Sequence, residues 1–439
     1  MWKQIKALVW RRLPDICEAI SVRLPAIRAY RRYGWRRKRS TSGGPIVVAG
    51  FHGAVLGLGE AARGVVSALA STGMAATAWD VSERLGHPRQ LDHGDVATPL
   101  GGPGVMIAHL NPPELMQLIA ADSTPFEGKH VIGYWAWELA AIPALWRPAF
   151  RYVDEIWAPS RFTAEAIQRA APRGMRVRIV PHFVSVDQRH PARARFGLDP
   201  DRVIVLCAFD LRSTLARKNP LAALEAFRFA AADARAPVTL VFKTVGGAEA
   251  PEALAMLRAA IGNTPDVVLI EEILTVADRD SLLASCDILL SLHRSEGFGL
   301  LLAEAMAAGK AVVATGWSGN MDFMDDSTAA LIPYSLVPVD DPQGIYRKGL
   351  WAQADVAAAG RALAELIDDR ARREALGARA RNAARDQLAV RVVADNMRRA
   401  LDGWGPPSTS RPHDLDGPAH DSRPTLDPRR PLDHAPAAQ

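Results

Sequence analysis

The sequence predicts an α/β chain of two domains, each a parallel sheet covered by helices. Three observations carry this prediction. The chain has 439 residues, more than one ordinary core accommodates. From Pro45 onward, short strands alternate with helical segments, and the strands are apolar at successive positions rather than at every second one. That is the pattern of a parallel sheet buried on both faces. The rhythm then restarts at Val203, after an exit segment Val180-Pro181-His182-Phe183-Val184.

Residues 1–42 form a basic amphipathic segment. Residues 1–39 hold twelve Lys and Arg against Asp15 and Glu18, while acids slightly outnumber bases in the remainder. Trp2, Ile5, Val9, Leu13, Ile16, Ile20, Leu24 and Ile27 recur at three- and four-residue spacing and draw one apolar stripe on a helix, divided by Pro14 and Pro25. The stripe reads equally as an interfacial helix on an anionic membrane surface or as a helix packed on the protein itself. Arg11, Arg12 and Asp15 interrupt any signal-peptide apolar region, so export by that route is not expected.

The first domain spans 43–188, with strands at 46–50, 105–108, 131–134 and 155–158 and a helix at 60–72. The second spans 189–385, with strands at 203–207, 239–243, 267–270, 287–290 and 311–314, each followed by an amphipathic helix. A helix over 386–404 is expected to cross back to the first domain. Residues 405–439 are dense in Pro, Asp, His and Arg and read as a disordered tail.

Composition excludes several classes. The formal charge of +5 is confined to the N-terminus, which disfavours a nucleic-acid binder. No apolar run approaches the ~20 residues needed to span a bilayer. Cys17, Cys207 and Cys286 lack CxxC spacing and their odd number closes no disulfide set, which fits a reducing cytoplasm. Gly57-Leu58-Gly59-Glu60-Ala61-Ala62, with Asp80 following, is nearly a dinucleotide fingerprint. Six residues separate it from its strand, and Glu60 would repel a pyrophosphate at the helix N-terminus, so an oxidoreductase is rejected. Gly57 and Gly59 read instead as a flexible loop admitting a bulky ligand.

The segment from Ser291 to Thr315 carries the chemistry. A strand ends near Leu292, a glycine turn follows, and a helix begins near Leu300. Such a turn aims the amides of Gly297, Phe298, Gly299 and Leu300 into one concavity backed by a helix dipole, which is an anion site. Glu296 precedes the turn and Glu304 lies one helical turn beyond Leu300, so both carboxylates face the carboxyl edge of the sheet.

Glu296-Gly297-Phe298-Gly299-Leu300-Leu301-Leu302-Ala303-Glu304 resembles the signature of family 4 retaining glycosyltransferases of the GT-B fold. Phe209 to Pro220, with Arg212, Ser213, Arg217 and Lys218, resembles their phosphate-binding segment, and Ala314 to Phe323 their post-signature loop. Gly133 to Leu139 and Asp154 to Phe162 match a bacterial subgroup, so the resemblance spans about residues 45 to 360 in order.

The resemblance implies two Rossmann-like domains facing across a cleft and transfer of a hexosyl group from a nucleotide-diphosphate sugar to a glycan or lipid-linked acceptor. Bacterial surface polysaccharide synthesis, in the cytoplasm or at the inner face of the plasma membrane, is the implied setting. Glu304 should accept from ribose hydroxyls, Glu296 should hold the donor sugar, and Arg217 and Lys218 should pair with the diphosphate. Arg212 and Arg217 compete for the second phosphate contact. No cofactor and no metal site is expected, because the leaving phosphate itself takes the acceptor's proton. His109 and Glu138 are candidates for the acceptor side, although His109 reads equally as a core histidine. Trp135, Trp137, Trp146 and Trp157 read as core. Two other classes compete: a non-catalytic membrane-associated nucleotide-sugar-binding protein, and a GT-B nucleotide-sugar epimerase. The intact Glu296, Glu304 and Lys218 speak against the first, and no compelling acid/base pair supports the second.

Overall fold

The structure is a computed structural model. It describes residues 14–31, 43–91, 98–185 and 190–402, with side chains from Val22 onward. The expected disordered tail lies outside the described residues.

Six strands, β1 (Ile46–Gly50), β2 (Ala76–Asp80), β3 (Val105–Ala108), β4 (His130–Tyr134), β5 (Glu155–Ala158) and β6 (Arg176–Ile179), form a first parallel sheet in the order β2-β1-β3-β4-β5-β6. Six more, β7 (Val203–Asp210), β8 (Val238–Val245), β9 (Val267–Ile270), β10 (Ile288–Ser291), β11 (Ala311–Thr315) and β12 (Ala330–Ile332), form a second in the order β12-β11-β10-β7-β8-β9. An antiparallel hairpin, β13 (Tyr334–Pro338) and β14 (Leu350–Ala354), follows the second sheet.

Each sheet separates two cores, because successive strand residues point to opposite faces. In the first sheet, Val47, Ala49, Met106 and Ala108 join one core, and Ile46, Val48, Val105 and Ile107 join the other. In the second, Val205, Cys207, Leu240 and Phe242 lie on one side, with Ile204, Leu206 and Val241 on the other. This two-sided burial is why the strands read as continuously apolar. The edge strand β6 escaped the sequence reading because Arg176 and Arg178 alternate along it. Both pair with the buried Glu155 of β5, at 3.4 and 2.8 Å.

The N-terminal helix runs unbroken through Pro25, over Pro14–Ala29, contrary to the expected division there. Val22, Ala26 and Ala29 are buried in the first core, and the helix packs against Pro112–Ala121. Tyr152 Oη donates to the Ala26 carbonyl at 3.1 Å. The stripe residues Leu24 and Ile27 point outward, 47% and 50% exposed, so Val22, Ala26 and Ala29 dock while these two do not. Among the described residues no helix is long and apolar enough to cross a membrane.

The chain passes between the sheets twice. Val184 leaves the first sheet and bridges to Ala389 on the return, with Val184 N donating to the Leu388 carbonyl at 2.9 Å. After that crossing, Val390–Ala400 lays Val393, Ala394 and Met397 on the Ile46 face of the first sheet.

Candidate active site

In each sheet the chain reverses its direction of winding once, and the loops on either side of that reversal leave a crevice at the carboxyl edge. In the second sheet the reversal falls between β7 and β10, which are adjacent. The loop after β7 is tightly shaped. Thr214 accepts from Arg217 N at 3.1 Å and starts the short helix Leu215–Lys218. Asn219, at φ +52°, ends it, and Pro220 opens the next helix at a position that needs no N–H. Asn219 Nδ2 donates to the Leu292 carbonyl at 2.9 Å, tying this turn to the end of β10.

The loop after β10 is fixed by the segment after β11. Glu296 N donates to Ser318 Oγ at 2.8 Å, and Gly319 N donates to the Glu296 carbonyl at 2.9 Å. A Cβ on Gly319 would meet the Gly297 carbonyl at 2.3 Å, so only glycine lets the loops touch. Ser318 sits at φ +79°, ψ −145°, a conformation that costs a non-glycine residue about 1–3 kcal/mol. Gly299, at φ +93°, then starts the helix Leu300–Ala307.

These loops bring Arg217, Lys218 and Glu296 together. Lys218 Nζ lies 2.5 Å from Glu296 Oε1, and Arg217 Nη1 lies 3.1 Å from Oε2. Arg217 is 4% exposed; its Nη1 also donates to the Ser295 carbonyl at 2.8 Å and its Nε to the Ser213 carbonyl at 3.2 Å. Burial alone would raise the Glu296 carboxyl, but the charges of Lys218 and Arg217 outweigh it and hold it at about 2. Burial pulls Lys218 below the usual lysine range even though Glu296 opposes it. Arg217, buried, and Lys218, partly buried, are therefore a paired group rather than exposed bases at a helix start. Arg212 is engaged elsewhere: its Nε and Nη2 grip Asp210 at 3.0 and 2.8 Å, and Nη2 donates to the Val55 carbonyl at 2.9 Å.

The first domain supplies the facing wall. Ser160 Oγ and Thr163 Oγ1 donate to the Gly297 carbonyl at 2.5 and 3.1 Å, and Ser295 Oγ donates to the Glu138 carbonyl. Glu138 itself is half-buried and accepts from Tyr346 Oη at 2.8 Å. His109 is 1% exposed, packed between Tyr134 and His182, with ring centroids 4.3 and 5.9 Å away. Neither ring nitrogen has a hydrogen-bond partner among the described residues, so it is neither open to an acceptor nor a satisfied core histidine. Burial drives it well below the usual histidine value, and it stays neutral. The four tryptophans Trp135, Trp137, Trp146 and Trp157 are all buried.

A cavity of 230 Å³ is lined by Leu300, Glu304, His182, Arg279 and Glu60, and by none of Arg217, Lys218 and Glu296. Arg279 stands between two carboxylates, 3.6 Å from Glu60 and 4.0 Å from Glu304. Glu60 belongs to the first domain, so this corner is built from both. The flexible loop expected at Gly57 and Gly59 is instead the first turn of the helix Gly57–Ser71. A Cβ on Gly59 would meet the Phe51 and Ala54 carbonyls at 2.4 and 2.8 Å, so that glycine serves close packing.

Of the residues singled out in the sequence, Glu296, Lys218, Arg217, Gly297 and the carbonyl of Ser213 converge, and Glu304 and Leu300 line the cavity. His182, Arg279 and Tyr346 were missed. His182 lay in the exit segment, and its ring stacks on Tyr134 and meets Phe298 at 5.0 Å. Nothing local marks Arg279 or Tyr346.

Residues 202–355 match the family model described as glycosyl transferases group 1. No curated protein sequence matches the chain. In three dimensions the chain is similar to HepE of Anabaena, solved in complex with UDP and glucose, at 14% identity and a TM-score of 0.59, covering 82% of this chain and 99% of that one. It is similarly like the sucrose-phosphate synthase of Thermosynechococcus elongatus, at 15% identity and a TM-score of 0.59, covering 82% and 98%. A glycosyltransferase from Rickettsia africae gives 12%, 0.58, 82% and 99% in the same terms. These likenesses show the fold: the chain is GT-B, with two Rossmann-like sheets facing across the cleft, and its second half carries the glycosyl transferases group 1 pattern.

Proposed function

We propose that the chain is a retaining, metal-independent glycosyltransferase. It would move a hexosyl group from a nucleotide-diphosphate sugar to a glycan or lipid-linked acceptor, in bacterial surface polysaccharide synthesis. The observation that supports this most is the convergence of Arg217, Lys218 and Glu296 at the reversal point of the second sheet, with Leu300 and Glu304 of the following helix lining a cavity. HepE, solved with UDP and glucose, supports a nucleotide-sugar donor.

In this reading the diphosphate replaces the Glu296 carboxylate as the partner of Lys218 and Arg217, and Glu296 turns to the sugar hydroxyls. Ribose hydroxyls donate to Glu304. The two cations offset charge growing on the leaving phosphate, as does the N-terminus of Leu300–Ala307. The bond from the anomeric carbon to the phosphate breaks while the acceptor oxygen bonds to the same face. The acceptor's proton passes to the departing phosphate oxygen, so no carboxylate nucleophile and no cofactor is called on. Arg217 and Lys218 supply the charge that a cation would otherwise supply.

The proposal extends to location: in the cytoplasm, against an anionic membrane surface through residues 1–39. Arg23, Arg28 and Arg31 are exposed beside the outward Leu24, Ile27 and Tyr30, which supports that contact. The test is incubation with a panel of nucleotide sugars. Release of nucleoside diphosphate, accelerated by a glycan acceptor, is expected; an epimerised donor, or no reaction with any donor, would sink the reading.

A further inference from the structure

The hairpin β13–β14 leaves the second sheet, yet its loop is seated in the core of the first domain. Tyr346, 5% exposed, packs there with Trp351, its ring centroid 5.4 Å from that of Trp137. The loop is rigidly held. Asp341 accepts the amides of Ile345 and Tyr346 at 2.9 and 3.0 Å. Gln343 spans the loop after β7, donating to the Leu211 carbonyl at 2.9 Å and accepting from Leu215 N at 2.7 Å. The same hairpin thus grips the turn that carries Arg217 and Lys218.

Tyr346 has two contacts of opposite kind. Its hydroxyl donates to Glu138 Oε2 at 2.8 Å, and its ring lies under the Arg217 guanidinium, 5.7 Å from ring centroid to Cζ. Glu138, Glu296, Arg217 and Lys218 form a balanced set of two negative and two positive charges in one interior. Tyr346 links the two groups directly, touching Glu138 through its hydroxyl and Arg217 through its ring. Arg217 Nε and Nη1 are already committed, whereas Nη2 makes no hydrogen bond among the described residues. Released from the Tyr346 hydroxyl, the Glu138 carboxylate would become a rival for that nitrogen, and an incoming anion would then have to displace it.

We infer that Tyr346 is a positioning residue for the anion site: its hydroxyl holds the Glu138 carboxylate off Arg217, and its ring fixes the guanidinium so that Nη2 stays open. The inference rests on the transferase reading only in taking the anion to be the donor's diphosphate.

Binding of inorganic pyrophosphate, measured by calorimetry at pH 8, tests it without turnover. Tyr346→Phe keeps the ring and frees the carboxylate, so affinity should fall about tenfold, the worth of one charge-assisted hydrogen bond. Glu138→Gln in that background should restore affinity, since an amide does not compete for a guanidinium as a carboxylate does. Wild-type affinity in Tyr346→Phe, or a loss that Glu138→Gln does not rescue, overturns the inference. Should Tyr346→Phe fold poorly, Glu138→Ala alone decides: unchanged or tighter binding supports a restrained competitor, and weaker binding shows that Glu138 instead holds Arg217 in place. A wild type that binds no pyrophosphate also overturns it. A wild type that binds pyrophosphate but turns over no nucleotide sugar sinks the transferase reading and still leaves Tyr346 tested.

Discussion

Lys218 Nζ stands 2.5 Å from Glu296 Oε1, although one residue follows β7 and the other follows β10. The contact exists because those two strands are neighbours in the sheet, and it leaves a buried carboxylate shared with Arg217. Removing one member of such a group strands the charge of another, while the remaining cation limits the damage.

Lys218→Ala should therefore fold, with Arg217 still neutralising Glu296, but lose turnover about a hundredfold or more, because the proposed phosphate contact, which strengthens in the transition state, is gone. Nucleoside diphosphate release and a melting curve on the purified variant check this. Unchanged release from a folded variant would remove Lys218 from the donor site.

The Glu296 carboxyl is held at about 2 against an ordinary 4.5, so acid should expose its contribution. The unfolded chain takes up the proton first as pH falls. The stabilisation is thus complete above about 4.5 and is lost on the way down to about 2, on the order of 3 kcal/mol in all. Wild type and Glu296→Gln, unfolded by denaturant at a series of pH values, should differ most near neutrality and converge across that window. Parallel curves would mean that the carboxylate contributes nothing through its charge.

How much of this was legible beforehand depends on whether the signal is local. Glu296 to Glu304 is one contiguous turn and helix, so its chemistry could be read in a line. Arg217 and Lys218 were found as a motif, but their shared partner needed the strand order. Tyr346 and Arg279 gave no local sign, because the contacts that bring them to the site are with residues distant in sequence, Glu138 and Glu60 among them. The N-terminal stripe shows a different limit. Spacing placed Leu24 and Ile27 on one helix face, but spacing does not say what covers a face, and here Val22, Ala26 and Ala29 do the docking. Gly57 and Gly59 were read as loop glycines once the dinucleotide fingerprint was rejected; both open a helix, and Gly59 is there because its backbone packs closely on Phe51 and Ala54.

Exhaustive treatment with EDTA should leave activity intact, since in the proposed reading Arg217, Lys218 and helix amides neutralise the diphosphate. A loss restored only by Mg²⁺ or Mn²⁺ would show that the leaving group is held by a cation instead.

Residues 1–39 should bind full-length protein to anionic vesicles, with affinity falling as salt rises. Each base contributes up to ~1 kcal/mol and only within a Debye length of ~10 Å. The outward Leu24, Ile27 and Tyr30 should leave a salt-resistant remainder. Sedimentation with vesicles, comparing the full chain with one lacking this segment, reads both effects. Full-length protein that stays in the supernatant at low salt would reduce the segment to its docking role on Pro112–Ala121.

The helix Val390–Ala400 closes a face of the sheet that begins at Ile46. Synthesis proceeds from the N-terminus, so Ile46, Val48, Val65 and Ile107 are made long before Val393 and Met397 can cover them. The first domain cannot complete its core while the ribosome is still translating the second, and its nascent form carries an open apolar face throughout that interval. A message truncated just short of codon 390 would encode nearly all of the proposed donor machinery and yet leave a product prone to aggregate rather than a smaller working enzyme.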